Sequence, residues 1–341
     1  MSLYSNQTGS NNIALGVSAL QNSTASNLTA VGYQALYNNT TGVVNTAVGY
    51  QSLYNNSTGA ENAAVGNSAL FNNTTGTQNN AVGYLALYSN TGDIQNDAHG
   101  TRALYSTNTG SYNTAMGRYA AYLNTSGNSN VAFGNSTLYG QGTGSNNTAI
   151  GQGSLNATAN FSDCTAVGYY AALLNTAGAL TAVGSQALRN NTAGTGHAAV
   201  GYQALYNNTT GINSVAVGYQ AGYTVTTGSG LTAIGYQAGY SYNLSNASEN
   251  FDSLFVGIQA GKATTTGHDN AFVGATAGFT NTTGSSNTAL GAAALYNNTT
   301  ANYNTAVGYQ AGYSNTTGYE HVLVGTQAGR SEEHTSELQS R

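Results

Sequence analysis

Residues able to do chemistry are few in this chain of 341 residues, which has five His, one Cys and eleven Asp and Glu. Nucleophilic catalysis needs a thiol or hydroxyl beside a base, and a metal site needs several ligands at one point. Cys164, His197 and His321 occupy one column of the repeat defined below, at least two repeat units apart. At the spacing of neighbouring strands, this separates them by about 10 Å or more. We therefore interpret them as replacements for Asn and predict no catalytic, metal-binding or cofactor-binding residue.

The densest internal cluster of titratable side chains is Asp97-Ala98-His99, followed closely by Arg102. We interpret it as a degenerate repeat unit in which His99 is solvated or hydrogen-bonded, and the alternative is a binding spot. Asp163 and Asp252 are five repeat units apart, too far for catalysis by paired carboxylates. We accordingly predict that the protein is not an enzyme.

Composition excludes several classes of partner. Charged residues make up 5% of the chain, the net charge is −5, and the six Lys and Arg residues are scattered. Nucleic-acid binding needs a basic patch or stripe, so we expect no nucleic-acid partner. No apolar run approaches the length of about 18 residues that spans a bilayer, so we expect no membrane insertion. The chain has 45 Gly but no Pro, which indicates that Gly serves specific positions rather than a disordered linker.

A Gly that usually follows an Ala-Val pair recurs along the whole chain, and we call it the marker Gly. Of its eighteen intervals, fifteen are 17 residues, two are 16 and one is 22. A period this short, with strand-like residues in each copy, is typical of a β-solenoid. The marker positions are Gly16, Gly32, Gly49, Gly66, Gly83, Gly100, Gly117, Gly134, Gly151, Gly168, Gly184, Gly201, Gly218, Gly235, Gly257, Gly274, Gly291, Gly308 and Gly325.

One repeat unit, or rung, runs from Asn45 to Glu61. The β-branched residues before Gly49 predict a short strand, Gly49 a corner, Tyr50–Tyr54 a second strand, and Asn55–Gly59 a turn. The sequence therefore predicts an all-β fold, a parallel β-solenoid (β-roll) of about nineteen 17-residue rungs. At about 4.8 Å per rung, eighteen steps predict a rod about 86 Å long.

Identical residues of successive rungs are expected to stack in columns. The Asn column is expected to form amide hydrogen bonds from rung to rung, and the aromatic column is expected to stack its rings. The Asn column comprises Asn45, Asn62, Asn79, Asn96, Asn113, Asn130 and Asn147, and the aromatic column comprises Tyr37, Tyr54, Phe71, Tyr88, Tyr105, Tyr122 and Tyr139.

Both faces of the first strand are apolar. The residue two before the marker Gly is Ala in sixteen of nineteen rungs, the exceptions being Phe255, Phe272 and Leu323. Neighbouring side chains of a strand face opposite ways, so the Ala column and the column next to it cannot share one face. We interpret the Ala column as the outer face, where small residues allow close approach of a second copy. This predicts a parallel homotrimer or other oligomer, with a monomer whose Ala face is exposed to solvent as the alternative.

The segment Asn-Thr-Ala-Val-Gly-Tyr-Gln-Ala at 304–311 resembles the β-roll head repeats of trimeric autotransporter adhesins. It is more similar still to shaft repeats of phage tail fibres and bacterial surface proteins that carry an endosialidase-type chaperone domain. The resemblance covers residues 2 to about 329. It implies a left-handed roll, a homotrimer, an extracellular location on a virion or cell surface, and attachment to a host-surface glycan or receptor. The rungs are longer than the usual adhesin head repeat.

Both ends of the repeat array, 1–329, have the pattern of truncation. Residues 2–9 match the second half of a rung, so the array starts within a repeat. Back-translation of residues 330–340 resembles a short-read sequencing adapter, and we interpret 330–341 as translated adapter. The alternative is a natural polar cap or helical tail.

The interval of 22 residues before Gly257 adds five residues around Tyr240–Asn246, expected to form a surface loop or a receptor-contacting bulge. Taken together, the patterns favour a structural or adhesive shaft segment. A glycan-binding module is the alternative, with an ice-binding solenoid based on Thr positions such as Thr40-Thr41 as a variant.

Overall fold

The computed structural model describes residues 3–6, 8–244 and 252–330. These residues form parallel strands, turns and bends, which confirms the all-β parallel solenoid. The chain divides into two units, Met1–Val167 and Gly168–Arg341, and each is a stack of rungs. The interpretation of 330–341 as translated adapter concerns residues that, apart from Arg330, lie outside the described ranges.

Unit 1 contains ten strands of three residues, each paired in parallel with the next. They are β1 (Ile13–Leu15), β2 (Thr29–Val31), β3 (Thr46–Val48), β4 (Ala63–Val65), β5 (Asn80–Val82), β6 (Asp97–His99), β7 (Thr114–Met116), β8 (Val131–Phe133), β9 (Thr148–Ile150) and β10 (Thr165–Val167). Each residue pairs with its equivalent one rung away, as Ala47 with Ala64. The repeat period therefore sets the strand register.

Unit 2 contains nine strands with the same pairing. They are β11 (Thr181–Val183), β12 (Ala198–Val200), β13 (Val215–Val217), β14 (Thr232–Ile234), β15 (Leu254–Val256), β16 (Ala271–Val273), β17 (Thr288–Leu290), β18 (Thr305–Val307) and β19 (Val322–Val324). The pairing stays in register across the long interval, since Ala233 pairs with Phe255.

The marker Gly is the predicted corner, and its geometry explains its recurrence. Gly49 has φ +138°, a conformation that residues with a side chain rarely adopt. A Cβ at this position would also lie 2.7 Å from the carbonyl carbon of Gly66 in the next rung. Stacking at strand spacing therefore leaves no room for a side chain at this corner.

The second strand predicted over Tyr50–Tyr54 is wrong. Gln51 and Leu53 have φ of 51° and 48°, in the left-handed region, so this segment is a series of turns. It still forms hydrogen bonds between rungs: the Gln51 N–H donates to Tyr33 O at 2.8 Å and the Leu53 N–H donates to Ala69 O at 3.0 Å. The turn segment thus stacks like a strand without the dihedral angles of one.

The interpretation of the Ala column as the outer face is also wrong. Ala64 on β4 points into the rung and is completely buried, together with Ala69 and Leu70. Its neighbour Val65 points outward and is 40% exposed. The Ala64 and Leu70 columns share the interior of the rung, since a Cβ at Gly278 in the Leu70 column would lie 2.8 Å from Cγ of Phe272 in the Ala64 column.

The predicted Asn column is confirmed as a buried ladder. Asn45 Oδ1 accepts the backbone N–H of Asn62 at 2.9 Å, while Asn45 Nδ2 donates to Gly59 O at 2.7 Å. The amide therefore joins two rungs and also braces the strand against the turn. A second buried ladder, not predicted, runs through Asn39, Asn56 and Asn73, whose amides join at 2.7 Å per step.

The long interval is not an inserted loop over its whole predicted length. Tyr240 continues the aromatic column, stacking on Tyr223 at 5.2 Å. Tyr242 is completely buried and packs edge-on against Phe255 at 5.6 Å. Residues 240–244 are thus part of a rung, whereas the remaining two residues of the predicted loop, 245–246, lie outside the described residues.

Candidate functional site

The outer strand face consists of the residues one and three positions before each marker Gly. Its members include consecutive apolar side chains, such as Val200, Val217 and Ile234, which are 39%, 37% and 40% exposed. β13 presents both Val215 and Val217 on this face. A regular row of exposed β-branched residues on a sheet is a surface suited to contact with another apolar row.

Two aromatic columns lie beyond the corner. The first aromatic column, not predicted as a column, is formed by the Tyr that directly follows the marker Gly in eight of nineteen rungs. Its Tyr33 and Tyr50 stack at 5.3 Å and are exposed. The second aromatic column is the predicted one, half-buried, with Tyr37 and Tyr54 stacked at 5.2 Å and nearly parallel. Ring stacking in this column is confirmed, and the rings leave edges and hydroxyls accessible to solvent.

Polar side chains accompany these columns and bond mostly within the stack. Asn38 Nδ2 donates to Asn55 Oδ1 at 3.2 Å. At the turn, the Thr40 hydroxyl donates to Ser57 O and the Ser57 hydroxyl donates to Thr74 O, each at 2.9 Å. The predicted Thr ladder consists of pairs such as Thr40-Thr41. The hydroxyls at the first position of a pair, those of Thr40 and Ser57, are therefore used in bonds between rungs.

A cluster of Arg and Tyr residues interrupts the columns of unit 1. The Arg102 guanidinium carbon lies 5.8–6.0 Å from the ring centroids of Tyr84, Tyr105 and Tyr119. The Arg118 guanidinium carbon lies 4.6 Å from the Tyr119 centroid, and a hydrogen bond with Arg118 lowers the pKa of Tyr119. Two cations thus share one ring at the surface.

The predicted cluster Asp97-Ala98-His99 lies beside this site and is paired internally. His99 Nε2 lies 2.9 Å from Asp97 Oδ1, and Asn80 Nδ2 donates to the same carboxylate at 3.0 Å. His99 is therefore hydrogen-bonded, which agrees with the interpretation of this cluster as a degenerate rung. Arg102 contacts Tyr rings instead. Arg118 and Tyr119 were missed, although each departs from the residue usual in its column.

The predicted replacements for Asn occupy the buried Asn column. His197 Nε2 donates to Gly211 O at 2.7 Å, and its Nδ1 accepts the Ser214 N–H at 3.3 Å, which are the two bonds that Asn makes elsewhere. Burial lowers the pKa of His197. The Cys164 and His321 N–H groups each donate to the preceding Asn of the column.

A buried polar cluster was not predicted. Asp93 stands where most rungs have the turn Gly, and burial raises its pKa to about 6 against an opposing hydrogen bond from the Gly110 N–H. Within the described residues, Asp93 Oδ2, Asn90 Oδ1 and Thr107 Oγ1 are buried without a hydrogen-bond partner. The Asn39–Asn90 ladder ends here because Thr107 replaces the next Asn.

An open groove of about 660 Å³ in unit 2 is lined by Asn213, Asp252 and Asp269 among others. Asp269 pairs with His268 Nδ1 at 2.9 Å. In the described part of the chain, no three His, Cys, Asp or Glu residues are grouped closely enough to hold a metal ion. The structure also contains, over the same residues, no helix suited to crossing a membrane.

Comparison of the sequence with protein-family models and with curated proteins gave no match.

Proposed function

We propose that this chain is a non-catalytic structural and adhesive segment of an extracellular fibre, of the phage tail fibre or bacterial adhesin class. We further propose that it assembles as a parallel homotrimer through the outer strand face. The observation that carries the proposal is the row of residues directly before the marker Gly, which are apolar in eighteen of nineteen rungs and partly or largely exposed, as Val200, Val217 and Ile234 are.

The rung chemistry supports a structural role. Within each unit, neighbouring rungs are joined by backbone ladders and, over runs of rungs, by buried Asn ladders and stacked rings. Length can increase by adding rungs, since each rung contacts its neighbours and needs no distant partner. Such a repeat provides extended, evenly spaced copies of one surface, which favours multivalent display.

The outer strand face supports self-association. A second copy brings the same apolar row with the same spacing, so a parallel arrangement in register matches side chain to side chain along many rungs. Burial of apolar surface contributes roughly 25 cal/mol per Å². The number of three chains comes from the resemblance of the repeat to trimeric fibre and adhesin segments.

Light scattering coupled to gel filtration at micromolar concentration tests the assembly. We expect a mass about three times that of one chain, and dissociation to the monomer in the double variant V200D/V217D, because two rows of carboxylates would be desolvated at the interface. A193D/T210D, which adds the same two charges at exposed turn positions one rung apart, serves as the control and should stay trimeric.

Circular dichroism separates dissociation from unfolding. If the V200D/V217D chain loses its β signal, the milder pair V200T/V217T, which keeps β-branched shape and strand propensity, takes its place. A monomeric wild-type chain, or a trimer unaffected by both pairs, would contradict assembly through this face.

Saccharide binding is a second candidate function. It is favoured by the exposed Tyr side chains of the first aromatic column, such as Tyr50 and Tyr202, because Tyr combines an apolar ring with a hydroxyl. Binding of the chain to a glycan array, reduced by Y50A and Y202A together, is the expected result. Absence of binding to any saccharide on the array would exclude it.

A further inference from the structure

Two of the six Lys and Arg residues of the chain lie against a single ring. The guanidinium carbons of Arg102 and Arg118 are 5.8 Å and 4.6 Å from the centroid of Tyr119. The chain as a whole has a net charge of −5, so this patch is a local reversal of charge. Arg118 is exposed and Arg102 is half-buried, which leaves both guanidinium groups within reach of a ligand.

No carboxylate neutralises this patch. Over the described ranges, the two ion pairs each join a His to an Asp. The carboxylate nearest in sequence to Arg102, that of Asp97, is engaged by His99 and Asn80. Arg102 Nε is buried and, in the described structure, has no hydrogen-bond partner. The cations therefore do not serve an internal salt bridge.

The rung does not require these cations. Arg102 stands two residues after its marker Gly, where other rungs have Gln51 or Gln203. Arg118 directly follows its marker Gly, where other rungs have Tyr50 or Tyr202. Other rungs fold with uncharged residues at both places. The two guanidinium groups are thus an addition to the repeat, since only the backbone of these residues joins the ladder, as where the Arg102 N–H donates to Tyr84 O at 2.8 Å.

Guanidinium groups bind planar or tetrahedral oxyanions through paired N–H donors, and exposed Tyr rings supply an apolar face with a polar tip. Tyr84, which is 47% exposed, lies one rung before Arg102, and Tyr119 lies one rung after it. We propose that Arg102, Arg118, Tyr84 and Tyr119 form a binding site for an acidic saccharide, whose carboxylate or sulfate group pairs with the two guanidinium groups.

A saccharide fits this site better than a nucleic acid does. Nucleic acid binding draws on a stripe of phosphate-binding cations, whereas this patch has two and the net charge of the chain is negative. Two cations match one anionic group of a sugar residue. The hydroxyls of Tyr84 and Tyr119 add neutral hydrogen-bonding groups at the same place. The site goes beyond the proposed structural role and does not depend on trimer formation.

Isothermal titration of the full chain tests the site with three hexasaccharides. Hyaluronan presents carboxylates, sulfated chondroitin presents sulfate as well, and the hexamer of N-acetylglucosamine is neutral. We expect binding of at least one acidic probe, weakened by added NaCl and absent for the neutral probe. Comparison of the two acidic probes identifies which anion is preferred.

Three variants, each placing the residue usual in its column, assign the binding to the patch. R102Q and R118Y should each weaken binding of the acidic probe about tenfold or more, as expected for loss of a charge-assisted pair. R189Y is the matched control: Arg189 also lies over a Tyr ring, 5.7 Å from the Tyr206 centroid, but among the described residues no second cation lies over that ring. Its binding should equal that of the wild type.

Several outcomes would overturn the site. These are no binding of either acidic probe at millimolar concentration, equal binding of the neutral hexamer, equal loss in R189Y, or tighter binding of a single-stranded oligonucleotide than of either acidic probe. Should R102Q fail to fold, R118Y decides alone, because Arg118 is exposed and its replacement leaves the interior untouched. Light scattering on the same samples reports separately on the trimer.

Discussion

The ring of Phe272 fills the space that a side chain at Gly278 would need, since a Cβ there would lie 2.8 Å from Phe272 Cγ. In the next rung the corresponding residues are Ala289 and Leu295, both completely buried. One rung thus combines a large strand residue with Gly, and its neighbour combines Ala with Leu. The interior volume of a rung is shared between the strand and the turn segment.

This exchange of volume leads to a coupled effect on stability. We expect F272A to lower the free energy of unfolding by about 3–5 kcal/mol through the cavity it leaves, and G278L to be destabilising by about 1–3 kcal/mol through overpacking. The double variant F272A/G278L recreates the arrangement of Ala289 and Leu295 and should be more stable than F272A alone. Urea unfolding of the four proteins measures the coupling, and strictly additive changes would contradict shared volume.

The buried Asn ladders should contribute more to stability than the half-buried Asn column that contains Asn38 and Asn55. Asn62 Oδ1 accepts the Asn79 N–H at 3.0 Å and Asn62 Nδ2 donates to Gly76 O at 2.8 Å, so N62A leaves two buried groups unpaired. We expect a loss of about 2–4 kcal/mol. N55A, in that half-buried column, should lower the free energy of unfolding by less than about 1 kcal/mol because water can replace the hydrogen bonds of Asn55. Equal thermal shifts for the two variants would be incompatible with this difference.

Asp93 should make the fold less stable as the pH rises. Its pKa is about 6 in the folded chain and about 3.9 in an unfolded one, so the folded state holds the proton more tightly. The stabilising effect of that proton is complete below pH 3.9, declines as the pH rises towards 6, and is lost above. The total change is about 2–3 kcal/mol.

Two variants at this position separate charge from shape. D93N removes the titrating group and keeps the size, whereas D93G restores the residue usual at this turn. Urea unfolding should show that the wild type loses stability between pH 4 and pH 6 by about 2–3 kcal/mol more than either variant does. Persistence of that loss in D93N would show that Asp93 is not its source.

His197 should have the opposite pH dependence. Burial lowers its pKa in the folded state, so protonation favours the unfolded chain. The stability that neutral His197 provides is present above the unfolded pKa of about 6.5 and is lost as the pH falls below it. We expect H197N, which can keep the bonds to Gly211 O and the Ser214 N–H, to be more stable than the wild type at pH 5. At pH 8 the stabilities of the two proteins should differ by less than about 1 kcal/mol.

Hydrogen exchange of the amides of unit 2 at pH 5 and at pH 8 measures the difference in stability between the two proteins. An identical response to acid in the two proteins would contradict the assignment.

The sequence by itself determined the length of the rung and the contacts between equivalent residues of successive rungs. Asn45 must lie over Asn62, and Tyr37 over Tyr54, because identical residues 17 positions apart repeat at the strand spacing. The corner at Gly49 was predictable for the same reason, since a marker at a fixed place in every rung indicates a backbone that excludes side chains.

The tertiary structure decided which side of the strand is inside. Alternation of side chains requires that Ala64 and Val65 face opposite ways but does not assign either to the interior. The assignment depends on the path of the turn segment, which buries Leu70 in the same interior as Ala64. The left-handed residues Gln51 and Leu53 set that closure, and their conformation has no simple signature in a segment rich in aromatic and apolar residues.

The Arg102–Arg118 patch likewise required the structure. Arg102 and Tyr119 are 17 positions apart in one column, so the periodicity alone brings Arg102 to this ring. Arg118 belongs to another column, and only the structure shows its guanidinium on the same ring. Periodicity determines contacts between equivalent positions, whereas contacts between different columns depend on the path of the chain around the rung. That path is fixed by the packing of the interior and by the bonds that close each turn.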